Sequence, residues 1–245
     1  KTLLQIAEVR GTRCRVVREE RYASTDFDSL VPMLSVFLDT HNPQPAYPLQ
    51  GACLGVAGPV QEKQGGQVAS LTNLAWKLDS DEIAEALSLA RVRLINDFQA
   101  IGYGIAALGA DDIVTLQAGR AQVHAPCVTL GAGTGLGQGI LIWRGDYYAA
   151  LPTEGGHAGF APADALQMDL LAYLHARFGR VSCERILSGS GFVLVYQFLR
   201  ERGEYAESKK LAAATGDPAP AITHAALVDK DPLAVQAMDL FLRIY

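Results

Sequence analysis

Apolar positions along the chain change period repeatedly, from strict alternation to helical spacing and back. Lys1 to Val9 and Arg13 to Tyr22 alternate apolar and polar residues around Arg10-Gly11-Thr12, so the chain opens as a β-hairpin. Ser29 to Leu38 has helical spacing, with Pro32 tolerated because it lies in the first turn. His41 to Pro48 is rich in proline and predicts a loop. Ala52 to Ala57 reads as a buried strand ended by Gly58-Pro59, and Gln64-Gly65-Gly66-Gln67 as a hairpin turn leading to Val68 to Leu71. Asp79 or Ser80 can cap the next helix, in which Ile83, Leu87 and Ala90 share a face.

Arg91 to Ile95 predicts a further strand, broken at Asn96-Asp97 by a helix running to about Leu108. Ile113 to Leu116 predicts a short strand, and Ala125 to Leu130 another, which runs into Gly131-Ala132-Gly133-Thr134-Gly135-Leu136-Gly137-Gln138-Gly139. Beyond it, Ile140 to Trp143 and Tyr147 to Leu151 form a hairpin across Arg144-Gly145-Asp146, a triplet read as a turn. Ala163 to Phe178 is an amphipathic helix with Leu166, Leu170, Leu171 and Leu174 as its buried stripe and Gly179 as its stop. Helices follow over Phe192 to Arg200, Ala221 to Lys230 and Pro232 to Tyr245, the last opened by Asp231 and Pro232. Strands interleaved with helices predict an α/β fold with mixed sheets. The boundary is placed near Leu108, giving a small α/β domain over 1–107 and a large one over 108–245.

Composition narrows the partners. At 245 residues and 49% apolar, the chain can bury a full core. Its 21 Lys plus Arg against 26 Asp plus Glu, with no basic block, argue against nucleic acid. No apolar run approaches the roughly 20 residues of a membrane span and no leader is evident, so a cytoplasmic location is expected and a membrane partner is not. Cys14, Cys53, Cys127 and Cys183 are widely spaced without a C-x-x-C pair and are read as reduced packing residues.

Three places carry candidate chemistry. Asn96 and Asp97 end an apolar strand, where open α/β sheets receive ligands, although either side chain also suits a helix N-cap. Five glycines at alternate positions from Gly131 to Gly139 let a backbone point its N–H groups at an anion, phosphate above all; the alternative is a tight hairpin. No register there satisfies G-x-G-x-x-G, and G-x-x-x-x-G-K-[ST] is absent. Leu151 to Pro162, which contains Glu154-Gly155-Gly156-His157, is too interrupted for a helix or strand and predicts a loop; its carboxylate and imidazole either share a small polar ligand or are simply solvated. One His and one Glu are too few for zinc. Glu184 has a plain explanation in the dipole of a short helix capped by Ser182.

In this order, Asn96-Asp97-Phe98, the Gly131 to Gly139 segment, Glu154-Gly155-Gly156-His157 and Glu184-Arg185-Ile186-Leu187-Ser188-Gly189 together resemble the bacterial glucokinase family of the actin-like ATPase (hexokinase) superfamily. Gly55-Val56-Ala57-Gly58-Pro59 and Thr72-Asn73-Leu74-Ala75-Trp76 fit as well, so the resemblance covers essentially the whole chain. It implies a two-domain actin-like ATPase (ribonuclease H-like) fold with mixed sheets and an interdomain cleft. The implied activity is ATP-dependent phosphorylation of the glucose 6-hydroxyl, giving glucose 6-phosphate for glycolysis, with Mg2+ arriving on the nucleotide. By the same resemblance Asp97 is the catalytic base, and Asn96, Asp97, Glu154, His157 and Glu184 bind glucose. Gly131, Gly133, Thr134 and Gly135 then lie against ATP phosphates, and a homodimer is expected.

The zinc-binding Cys and His cluster of the regulator-and-kinase sugar kinases is absent from the sequence. The resemblance also implies an Asp-x-Gly-Gly-Thr segment before the residue aligned with Lys1 and an adenosine-contacting segment after Tyr245, neither of which is in the 245 residues. Two expectations follow: a hexose kinase of which these residues are part, with little turnover from them alone, or an impaired fragment or pseudokinase that binds sugar.

Overall fold

The structure is a computed structural model that describes residues 1–11, 13–42, 48–71 and 74–245. The expected loop from His41 to Pro48 thus lies outside the described residues over 43–47, and so do Thr12, Thr72 and Asn73.

The chain divides into two compact units, residues 1–127 with 141–152, and residues 128–140 with 153–245. Leu108 falls inside the first. That unit opens with β1 (Thr2–Arg10) and β2 (Arg13–Tyr22), antiparallel as alternation predicts and turning at Gly11, whose φ of 61° suits glycine. Helix α1 (Leu30–His41) buries Leu30, Met33, Leu34 and Phe37. β3 (Ala52–Val56) is followed by β4 (Val60–Lys63), β5 (Gly66–Ser70) and β6 (Lys77–Asp79), which form their own antiparallel sheet. Asp79 caps α2 (Ser80–Ala86) by accepting from the N–H groups of Asp81 and Glu82, at 3.0 and 3.4 Å. This helix stops before Ala90, since the backbone enters the left-handed region at Ser88 (φ 52°).

β7 (Val92–Asn96) pairs in parallel with β3, so that Gly55 lies beside Ile95 and Val56 beside Asn96. Buried Gln67 extends its side chain to β7, where its Oε1 accepts from the Leu94 N–H at 2.8 Å. That bond satisfies a backbone donor next to a fully buried Leu94, where an unpaired one would cost about 1–3 kcal/mol. Helix α3 (Asp97–Gly104) follows β7 without a linker and continues as a 3-10 turn over Ile105–Ala107. The strand expected over Ile113 to Leu116 does not form: the segment follows a 3-10 turn at Ala110–Asp112 and finds no ladder partner, leaving Val114 83% and Leu116 95% exposed.

β8 (Cys127–Ala132), β9 (Leu136–Trp143) and β10 (Tyr148–Thr153) form one sheet in the order β10-β9-β8. In the second unit, α4 (Ala165–Phe178) buries Leu170 and Leu174, is capped by Asp164, and ends at Gly179 (φ 71°). α5 (Cys183–Ile186) leads into α6 (Gly189–Arg202), which starts three residues before the expected Phe192 because Ser188 accepts from the Gly191 N–H at 3.1 Å. After α7 (Lys209–Ala212), α8 (Pro218–His224) passes through a π turn at Ala225–Asp229 into α9 (Pro232–Ile244). Ile186, Val195, Leu233 and Leu240 join α4 in this unit's core.

None of the cysteines is disulfide-bonded, but Cys14, Cys53 and Cys127 are exposed, which corrects their reading as packing residues. Among the described residues no helix is long and apolar enough to cross a membrane.

Candidate active site

In the first unit the site residues sit at the junction of β7 and α3. Apolar β7 ends where Asn96 takes an extended conformation, and its Oδ1 accepts from the N–H groups of Phe98 and Gln99 at 3.0 and 3.3 Å. Asn96, then, is the helix cap. Its Nδ2 donates to the carbonyl of Gly58 at 3.4 Å, tying the junction to the turn after β3. Asp97 is the first helical residue; one oxygen accepts from the Phe98 N–H at 2.9 Å and the other has no hydrogen bond among the described residues. Its carboxylate borders a cavity of about 1440 Å3 in this unit, together with Gly55, Val56 and Ala57. Most of that cavity is walled by aliphatic and aromatic side chains such as Leu4, Ile6, Leu34 and Phe37, and Asp97 is the one carboxylate among its lining residues.

In the second unit the remaining candidates come together. The Gly131 to Gly139 segment is mostly strand, with Gly131 and Ala132 ending β8 and Leu136 beginning β9; the bend itself is Gly133-Thr134-Gly135. It is a strand–bend–strand hairpin, a geometry that suits either reading of the glycines. The Gly133 N–H donates to the Gly135 carbonyl and the Gly189 N–H to the Gly133 carbonyl, both at 2.8 Å. Nothing crowds the face where Gly133 would carry a Cβ, and Thr134 is exposed.

The 3-10 turn Gly155–His157 packs flush on the start of β9. A Cβ on Gly156 would overlap the Leu136 carbonyl, and one on Gly155 the Gln138 amide. Those two glycines bring Glu154 and His157 to the strand. His157 Nε2 is 3.6 Å from Glu154 Oε2, and its Nδ1 is 3.7 Å from Glu184 Oε1. Both separations exceed a good hydrogen bond, so the three groups face one another without satisfying one another. Glu184, in the first turn of α5, accepts from the Leu136 N–H through its other oxygen at 3.0 Å. The dipole explanation for Glu184 is therefore incomplete.

The same unit contains a cavity of about 530 Å3, walled by Ala132 and Gly133 of the hairpin, Ser188 and Gly189 at the start of α6, and Phe192, Thr223, Met238 and Phe241. Phe192 and Phe241 meet edge to face, 5.3 Å between centroids. The volume suits a small-molecule ligand, and Ala132 and Gly133 place the hairpin in its wall. Sequence reasoning missed this wall: its residues are ordinary helix positions on α6, α8 and α9, and only folding brings them beside Gly133.

This architecture is the mixed α/β fold of the actin-like ATPases. The crystal structure of a glucokinase from an Antarctic psychrotroph superposes with a TM-score of 0.75 at 27% identity, covering 98% of this chain and 70% of that one. The structure of a Balamuthia mandrillaris glucokinase in complex with glucose matches with a TM-score of 0.70 over 99% of this chain and 71% of that one; at 22% identity it bears on the fold alone.

The glucokinase family model matches residues 1–245. A glucokinase of Nostoc sp. is 44% identical over 261 aligned positions, covering all of this chain and 75% of that protein. The chain belongs to the glucokinase family and is a hexose kinase. It spans about three quarters of the length of such relatives. The alternative of an impaired sugar-binding module is not favoured.

Proposed function

We propose that this protein transfers the γ-phosphoryl group of ATP to the 6-hydroxyl of glucose, with Asp97 as base. The observation that carries the reading is the convergence of Glu154, His157 and Glu184 on one point, with Glu184 bonded directly to the glycine hairpin through Leu136. A carboxylate pair with an imidazole between them grips vicinal hydroxyls well. A site built on such bonds rejects analogues lacking a hydroxyl, because its polar groups are left unpaired.

Asp97 has one oxygen committed to the Phe98 N–H, which fixes the carboxylate, and one left to orient a hydroxyl and take its proton as the new bond forms. Phosphoryl transfer asks for little more than positioning and charge stabilisation. Asn96 keeps one amide hydrogen for the sugar once its oxygen caps α3 and its nitrogen reaches Gly58. Gly131, Gly133, Thr134 and Gly135 suit the phosphates: the bend is open where a Cβ would stand at Gly133, and the adjacent 530 Å3 cavity has aromatic walls for a nucleoside. Mg2+ would be held mainly by phosphate oxygens and water, neutralising charge on the transferring group.

The test is a coupled assay of ADP release over a panel of hexoses and nucleotides. In protein of its relatives' full length, glucose with ATP is expected to be preferred, and absence of glucose-dependent ADP release there overturns the assignment; these 245 residues alone are expected to turn over little. Asp97→Ala is expected to lower kcat by about a hundred- to ten-thousandfold while glucose binding stays measurable by calorimetry. Turnover near that of the unmodified protein would remove Asp97 from the base role.

A further inference from the structure

The two oxygens of Glu184 face different structures. Oε1 looks toward His157, 3.7 Å from its Nδ1, whereas Oε2 accepts from the Leu136 N–H at 3.0 Å, where the glycine bend enters β9. The contact with the bend is close: a Cβ on Gly135 would overlap Oε2. Five residues further on, the Gly189 N–H holds the Gly133 carbonyl at 2.8 Å. The peptide between these holds packs directly on α6, since a Cβ on Gly191 would overlap the carbonyls of Ile186 and Arg185. One short segment, from α5 into the start of α6, thus grips the bend on both sides.

We infer that Glu184 is a positioning residue for the phosphate-facing hairpin as well as a hydroxyl ligand, so that sugar and nucleotide occupancy are coupled through its carboxylate. This rests on the proposed function for the identity of the two ligands. The physical basis is that a carboxylate has a fixed geometry: a hydroxyl that draws Oε1 into a tighter bond also sets where Oε2 sits, and with it the Leu136 amide. By linkage the effect is reciprocal, and nucleotide on the bend must alter sugar affinity by the same factor. A group that only bound sugar would have no effect on nucleotide affinity when sugar is absent.

The experiment titrates a non-hydrolysable ATP analogue into sugar-free protein, titrates glucose into nucleotide-free protein, and follows backbone amide exchange over the hairpin in the unliganded state. Glu184→Ala is expected to weaken sugar-free nucleotide binding about tenfold, within the usual range of coupling between sites. It should also speed exchange at Leu136. Glu184→Gln keeps an oxygen that can accept the same N–H, so both readouts should return to near those of the unmodified protein even though sugar affinity falls. Glu154→Ala should weaken glucose binding alone. Gly135→Ala, whose new methyl displaces Oε2, should weaken glucose binding although residue 135 lies on the nucleotide side.

Unchanged sugar-free nucleotide affinity in Glu184→Ala, with unchanged exchange at Leu136, overturns the inference. So does failure of Glu184→Gln to restore either readout. If the unmodified protein binds no nucleotide, the proposed function fails instead, and the exchange arm alone judges whether Glu184 holds the hairpin.

Discussion

The β7–α3 junction and the hairpin cluster of the second unit organise polar groups in opposite ways. At the junction, one side chain carries most of the local structure: Asn96 caps α3 and reaches Gly58, while its neighbour Asp97 has one oxygen without a hydrogen bond among the described residues. In the cluster, structure is carried by groups with almost no side chain. Gly155 and Gly156 admit the backbone, and Glu154 and His157 stay 76% and 57% exposed. The lesson is that a site can be made ready either by a residue that fixes its neighbour or by glycines that bring the chain in. Substitutions should separate stability from binding differently in the two places.

The largest expected effect that tests this contrast is on binding. Replacing Glu154 and His157 together with alanine should weaken glucose binding by about a hundredfold, since two buried-on-binding polar contacts are each worth about 1.5 kcal/mol. Stability should barely move, because exposed ion pairs contribute only about 0–1 kcal/mol and this one spans 3.6 Å. Calorimetry and thermal denaturation on the same sample decide it. A fall in Tm of more than a few degrees would mean that the cluster is structural after all.

Next comes the reverse experiment, on a glycine that touches no ligand in the proposed function. Gly156 is buried and its missing Cβ is occupied by the Leu136 backbone carbonyl, which cannot swing aside as a side chain would. Gly156→Ala should therefore cost about 1–3 kcal/mol through overpacking, visible as a lower denaturant midpoint, with glucose affinity falling as a consequence. An unchanged midpoint would show that the turn can lift from β9 freely, and the account of how Glu154 and His157 are presented would fail.

Much of this was legible beforehand, for a physical reason that also explains what was not. Alternation in Thr2–Arg10 and Arg13–Tyr22, the Asp79, Ser182 and Asp231 caps, and the Gly179 stop are all local, and each predicted element formed. Ile113 to Leu116 failed because strand propensity is realised only beside a partner strand. The candidate residues could be nominated from their types and from a family resemblance, yet not their bonds. That Glu184 holds the Leu136 amide, 48 positions away, or that Phe192 and Phe241 wall one cavity, depends on tertiary packing that no window of sequence contains.

The smallest expected effect isolates the junction's two tasks within one residue. Asn96→Ala removes the acceptor for Phe98 and Gln99 and should cost about 1 kcal/mol, the usual price of losing an N-cap. Asn96→Asp keeps an oxygen for both N–H groups and adds charge at the positive end of α3, but loses the donor to the Gly58 carbonyl. That bond is long at 3.4 Å, so its loss should be offset and the midpoint should shift by less than about 0.5 kcal/mol. Turnover should fall in the aspartate variant all the same, because a second carboxylate beside Asp97 repels its charge and removes the amide hydrogen offered to the sugar. Equal loss of stability in the two variants would show that the Gly58 link, not the cap, holds the junction, and Asp97 would then owe its orientation to β3 rather than to α3.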